Sequence, residues 1–151
     1  MLRNIANDLL YLLSILESIG KILKYTEKYS EPELFFESDD QIQFNASLLL
    51  LANIGEASGK ISDELKNKHN KIPWKIMKNF RNKITHDYVN IDFFIVFDVI
   101  KNELPKVKIE LEKIIAEELI AKKFVKEEYE VCIGNMYYRH IDFDKINNFL
   151  K

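Results

Sequence analysis

Apolar residues recur at intervals of three and four through the start of the chain: Ile5, Leu9, Leu12, Leu16, Ile19 and Leu23. A strand would place its apolar side chains at every second position, whereas a helix gathers this spacing on one face. The pattern predicts a helix over residues 3–29 whose stripe must be covered by another element. Little in the sequence would interrupt such elements, since its 151 residues include Gly 4 and Pro 3. Leu, Ile, Lys and Glu dominate, and all four tolerate helix well.

The same periodicity continues beyond this first element. Pro32 and its polar neighbours are expected to end the first helix. Ser38 with Gln41 reads as a capping box opening a second helix through Phe44, Leu48, Leu51 and Ile54. Gly55 falls inside that helix, where propensity disfavours it, so close packing of another helix is its expected reason. Gly59 falls nearer the helix end. Ser62 is expected to cap a short helix over residues 63–68. Ile72-Pro73-Trp74 reads as a fresh start, because the amide missing from proline needs no partner in a first turn. Trp74, Met77, Phe80 and Ile84 then form a stripe on a fourth helix. Asp92 is a further expected cap, followed by core positions Ile95, Val99, Leu104, Val107, Leu111 and Ile114. Pro105 inside that run predicts a kink or a break.

Residues 1–120 thus read as four or five long helices, an all-α bundle forming one domain. Residues 121–151 form a C-terminal extension of a different character. Residues 122–130 are dense in charge, and 130–133 with 136–141 can be drawn as a short hairpin around Gly134-Asn135. Residues 144–150 can equally be drawn as one or two helical turns.

The balance of 47% hydrophobic and 30% charged residues is that of a globular protein. A single cysteine, Cys132, excludes an internal disulfide framework and fits a reducing cytoplasm. Apolar runs such as residues 48–52 are too short to span a bilayer, and no secretory signal is evident. A cytoplasmic location is therefore expected. Net charge is −2 but unevenly spread. Residues 1–59 hold 4 basic and 9 acidic side chains, residues 60–90 hold 8 and 3, and residues 91–151 hold 10 and 12. The basic segment suits a site that handles phosphate, and it equally suits a solvated lysine-rich helix face.

Within that segment lies Arg81-Asn82-Lys83-Ile84-Thr85-His86, followed by Tyr88. It joins a permanent cation, a group that exchanges protons near neutral pH and a phenol. Such groups suit phosphodiester cleavage in which RNA supplies its own nucleophile, the ribose 2′-hydroxyl. A neutral imidazole takes that proton, an imidazolium protonates the leaving 5′-oxygen, and a guanidinium holds the phosphate charge. On a helix Arg81 and His86 stand about 140° apart, while Asn82 and His86 share a face. That divergence favours a groove built from two copies, each contributing its own pair, although fraying near Asp87 would also move the side chains together. Each residue alone also has an ordinary reading, His86 as a solvated histidine and Arg81 as a surface cation. His69 and His140 are assigned no site, and the three histidines show no metal-ligand spacing.

Arg81-x4-His86-x-Tyr88 resembles the signature of the HepT-like toxins of the HEPN superfamily. Asn53-Ile54-Gly55-Glu56-Ala57, Ile72-Pro73-Trp74, Val89-Asn90-Ile91-Asp92 and Leu104-Pro105 resemble further segments of that family in the same order, over about residues 3–117. The resemblance implies a HEPN-like helical homodimer whose motif helices face one another around an RNA-cleaving groove. It implies a metal-independent endoribonuclease without a cofactor, acting as the toxin of a toxin–antitoxin pair. On it Arg81 and His86 are catalytic and Asn82 supports them. Tyr88 matches the tyrosine that a nucleotidyltransferase antitoxin modifies with AMP groups. Asp40 falls near a recurrent acidic position and is not expected to be catalytic. The alternative is a nucleotide-binding or partner-binding module of the same fold that cleaves nothing.

Overall fold

The first stripe folds as expected: α1 runs Asp8–Thr26 and buries Leu9, Leu12, Leu16 and Ile19. The computed structural model describes residues 7–151, so Ile5 lies outside the described residues. Asp8, in the first turn, is buried, and its carboxylate accepts hydrogen bonds from the Ser62 amide (2.9 Å) and hydroxyl. At the other end the Lys101 ammonium donates to the Thr26 carbonyl at 2.7 Å, a cation at the negative pole of the helix.

Pro32 does not simply end an element. It occupies the first turn of α2 (Pro32–Glu37), where its missing amide costs nothing. The capping box at Ser38 and Gln41 does not form. Asp39, Asp40 and Gln41 instead take left-handed conformations (φ 52°, 54° and 68°), and α3 starts at Ile42 and runs to Lys60 without a side-chain cap. Aspartate tolerates that region better than most side chains. Phe36 of α2 packs with Phe44 of α3 and stacks on Phe93, with ring centroids 4.8 and 4.4 Å apart.

Two caps form as the sequence predicts. The Ser62 hydroxyl accepts the Leu65 amide at 3.3 Å, opening α4 (Asp63–Lys68). The Asp92 carboxylate accepts the Phe94 amide at 2.9 Å, opening α6 (Phe93–Asp98). Between them, α5 (Trp74–His86) starts just after Pro73. Pro105 neither breaks the last long helix nor leaves it regular. Residues Val99–Glu103 form a π turn, with the Leu104 amide bonded to the Val99 carbonyl, and α7 (Leu104–Ile120) carries Pro105 in its first turn. Widening the turn to a five-residue repeat relieves the proline ring of its clash with the preceding turn.

These helices stack in a definite order. α3 packs on both α1 and α5, α7 packs on α1, and α6 packs on α2. All described secondary structure is helical, giving a HEPN-like all-α bundle. Among the described residues no helix is long and apolar enough to cross a membrane.

Of the two readings of the extension, the hairpin is absent and the helical turns form. The extension forms α8 (Lys126–Glu130), a turn through Gly134 (φ 83°), a 3-10 turn at Met136–Tyr138 and α9 (Phe143–Phe149). The Asn135 side chain accepts the Tyr137 amide at 2.8 Å and so starts a helical turn where a strand was drawn. An isolated pair of strands would also have had no third strand to stabilise it. Phe124, Tyr129, Phe143 and Ile146 are buried, α9 packs on α7, and the segment at 136–138 packs on α1. His140 is the main link to α1: its amide and Nδ1 donate to the two carboxylate oxygens of Glu17, at 2.7 and 2.8 Å. Gly20 makes room for this contact, since a Cβ there would fall 2.3 Å from the His140 carbonyl oxygen.

Candidate active site

Helix α5 presents its motif because α3 lets it come close. A Cβ on Gly55 would lie 2.3 Å from the Arg81 Cβ and 2.6 Å from the Met77 carbonyl oxygen. Glycine is therefore required by the approach of α5, as its position in the sequence predicts. Trp74 and Ile84 of the α5 stripe are buried, and Met77 and Phe80 are partly so. This anchoring turns the polar side of α5 outward.

Arg81 sits where the two helices meet. Its Nη2 is 3.1 Å from Glu56 Oε2, and its Nη1 donates to Asn82 Oδ1 at 3.1 Å. Both side chains of the ion pair remain partly exposed, so the pair is a weak fastening rather than a buried lock. Asn82 is thus engaged with Arg81, not with His86 as its four-residue spacing allowed. At 100° per residue Asn82 projects between them, about 100° from Arg81 and 40° from His86.

His86 is exposed, and among the described residues its imidazole takes part in no side-chain hydrogen bond or ion pair. Regular α-helix persists through His86, and the Asp87 amide still bonds the Lys83 carbonyl at 2.8 Å. No fraying brings His86 round to Arg81, so the angular separation of about 140° stands within one protomer. Tyr88 lies beyond the helix, in a 3-10 turn at Tyr88–Asn90, and not on a continuous helix with Arg81. The Asn90 amide bonds the Asp87 carbonyl at 3.1 Å, and the Asn90 side chain donates to the Asp87 carboxylate at 2.8 Å, fixing that turn. From it the Tyr88 hydroxyl donates to Asn45 Oδ1 on α3, leaving the ring half exposed.

Asn45 and Glu56 are therefore parts of the site that periodicity alone did not single out. They lie on the outer face of α3, with Leu49 (72% exposed) between them. Leu49, Ile42 on the same helix and Val89 beside Tyr88 form an exposed apolar fringe around the polar groups.

The remaining histidines serve the scaffold. His69 Nε2 is 2.8 Å from Glu118 Oε1, which Lys68 also approaches at 2.8 Å. Burial alone would raise the Glu118 carboxyl, but the bonds from His69 and Lys68 outweigh it and hold the group below its ordinary range. Cys132 is buried, which pushes its thiol up and keeps it unreactive. No grouping of three or more His, Cys, Asp or Glu positioned to hold a metal ion occurs among the described residues.

The family model described as "Ribonuclease HepT-like" matches residues 15–114. The chain is 33% identical over 102 residues to "Probable ribonuclease HepT" of Thermococcus cleftensis, covering 66% of this chain and 91% of that one. It is likewise 33% identical over 102 residues to a Methanocaldococcus jannaschii protein named "Putative RNase", covering 68% of this chain and 91% of that one. No solved structure matches.

Proposed function

The chain belongs to the ribonuclease HepT-like family, and on that premise we propose that it is a metal-independent endoribonuclease, the toxin of a toxin–antitoxin pair. The observation that carries this reading is the arrangement on α5: a partly exposed Arg81, an exposed His86 without a structural partner, and a helix that keeps them about 140° apart. Two copies meeting through this face would set both pairs around one groove. The apolar fringe of Ile42, Leu49 and Val89 supports such a meeting, because exposed apolar side chains around a polar centre suit an interface.

In the reaction one His86 imidazole takes the proton of the ribose 2′-hydroxyl while that oxygen forms its bond to phosphorus. Arg81 donates to the non-bridging oxygens as their charge grows. The bond from phosphorus to the 5′-oxygen breaks, and that oxygen takes a proton from the His86 imidazolium of the second copy. The products are a 2′,3′-cyclic phosphate and a free 5′-hydroxyl. Tyr88, half exposed at the edge of the groove, is the hydroxyl that a nucleotidyltransferase antitoxin would modify with AMP. The added charge and bulk would repel and block an incoming phosphate.

The expected result is cleavage of RNA in the presence of chelator, ending in a cyclic phosphate, and its loss in His86→Ala and Arg81→Ala with the fold retained. Full activity in His86→Ala would remove the assignment. A second reading, a binding module without catalysis, is favoured by one observation: Arg81 is already held by Glu56 and Asn82. It predicts stable RNA or partner complexes with no cleavage by the wild-type chain.

A further inference from the structure

The catalytic scheme leaves unused the lysines at the other end of α5. A groove of about 550 Å³ opens there between α4 and α5. Lys66 and Asn67 line it from α4, Lys75 and Lys78 from α5, and Asn70 from the connection between the two helices. Three lysines face one acidic lining residue, Asp63. Some lysines of the fold are given to carboxylates, Lys68 to Glu118, Lys108 and Lys145 to Glu112, and others such as Lys83 and Lys122 stand singly among the described residues, so the grouping of three around one groove is what sets these apart. Lys66, Lys75 and Lys78 form no ion pair among the described residues. Lys66 also acts on the buried Asp8 carboxyl, and the three ammonium groups held around one groove concentrate positive field for an anion.

The groove also shares a face of α5 with the candidate active site. At 100° per residue Lys75, Asn82 and His86 fall within about 40° of one another, with Lys78 displaced toward Arg81. Eleven residues of rise separate Lys75 from His86, about 16 Å along the axis, the reach of a few nucleotides of extended strand. Lys75, Lys78 and His86 are exposed, so the stripe is open along its length.

We propose that the groove between α4 and α5 is a phosphate subsite that holds the RNA backbone a few nucleotides from the bond reacting at His86. The inference rests on the ribonuclease reading for its substrate. Lysine acts on phosphate as a point charge, without the planar fork by which arginine reads a base edge. The aromatic residue lining the groove, Trp74, is buried and donates its indole N–H to the His69 carbonyl at 3.1 Å, so it offers no face for a base to stack on. The subsite therefore grips backbone and adds affinity with little sequence preference.

The test measures binding of a labelled single-stranded RNA to the His86→Ala chain, which leaves the RNA intact, over a range of salt concentrations. Adding Lys66→Gln, Lys75→Gln and Lys78→Gln together should weaken binding and reduce the slope of log K against log salt by roughly 2, at about 0.7 for each phosphate no longer neutralised. Arginine at the same three positions should keep the slope, and Lys122→Gln with Lys123→Gln on the extension should not change it. Matching helical melts for all variants separate a weakened grip on RNA from a damaged fold. An unchanged slope in the triple glutamine variant, or no RNA binding by the parent, overturns the subsite. Wild-type cleavage of the same RNA is scored separately. Cleavage with an unchanged slope removes only the subsite, whereas a reduced slope without any cleavage removes the ribonuclease reading and leaves the subsite standing.

Discussion

Gly55→Ala sets a methyl group at the point where α3 and α5 are closest. The new carbon would meet the Arg81 Cβ at 2.3 Å and the Met77 carbonyl at 2.6 Å, whereas ordinary contact begins near 3.4 Å. Neither obstacle is the tip of a flexible side chain, so α5 must retreat by 3.4 − 2.3, about 1 Å. Overpacking of this kind costs about 1–3 kcal/mol, and alanine returns about 1 kcal/mol through its better helix propensity. The net loss of up to about 2 kcal/mol corresponds to a Tm lower by up to roughly 8 °C in a chain of this size. On the proposed ribonuclease reading activity should fall further than stability, because a shift of about 1 Å in a positioned catalytic group costs on the order of 100-fold in rate. The assay pairs a thermal melt with RNA cleavage measured well below the transition. Gly59→Ala is the control: its new carbon meets nothing within 4 Å, so stability should hold or rise by up to about 1 kcal/mol. A Gly55→Ala protein as stable and as active as its parent would refute the claim that this contact positions Arg81.

Gly20→Ala should detach the extension from α1 by driving His140 off its Glu17 contact, and limited proteolysis should then cut within residues 121–151 while the bundle resists. An unchanged digestion pattern would count against it. Glu118→Gln should flatten the acid limb of the stability curve. The Glu118 carboxyl is held low in the folded chain, so its contribution is full above the ordinary value of 4.5 and is lost as pH falls through the depressed one. Denaturant midpoints from neutral to acid pH report the difference, and parallel curves for the two proteins would contradict it. On the proposed toxin reading, incubation with ATP and a cognate nucleotidyltransferase antitoxin should add AMP-sized increments to the wild-type mass and none to Tyr88→Phe. Increments retained in Tyr88→Phe would place the modification elsewhere.

What the sequence disclosed depended on how local each cause was. Ser62 and Asp92 were readable as caps because the amides they bond lie two or three residues away. Gly55 was readable because a glycine inside a helix needs a reason, and Arg81 closing on it supplies one. Pro32 misled because a proline that ends one helix can equally begin the next. The capping box at Ser38 failed because three left-handed residues intervene before α3, a geometry that side-chain pattern does not signal. The turn residues Gly134-Asn135 suit a hairpin and a helical turn alike, and only the distant burial of Tyr129 and Phe143 decides between them. Within the site, Arg81 and His86 announced themselves by chemical type. Asn45 and Glu56 did not, since their part exists only once α3 lies beside α5. The outward face of α3, carrying Asn45, Leu49 and Glu56 at intervals of four and seven, was the signal available.

The order of stacking has a practical outcome. The final helix, α9, is held to α7, through buried Phe143 and Ile146 and the Lys145–Glu112 ion pair, whereas the motif helix α5 is held to α3. A fluorophore, affinity handle or surface linker joined to an exposed position of α9, such as Asn148, would therefore leave the α3–α5 contact untouched, giving single-molecule or immobilised formats an attachment point.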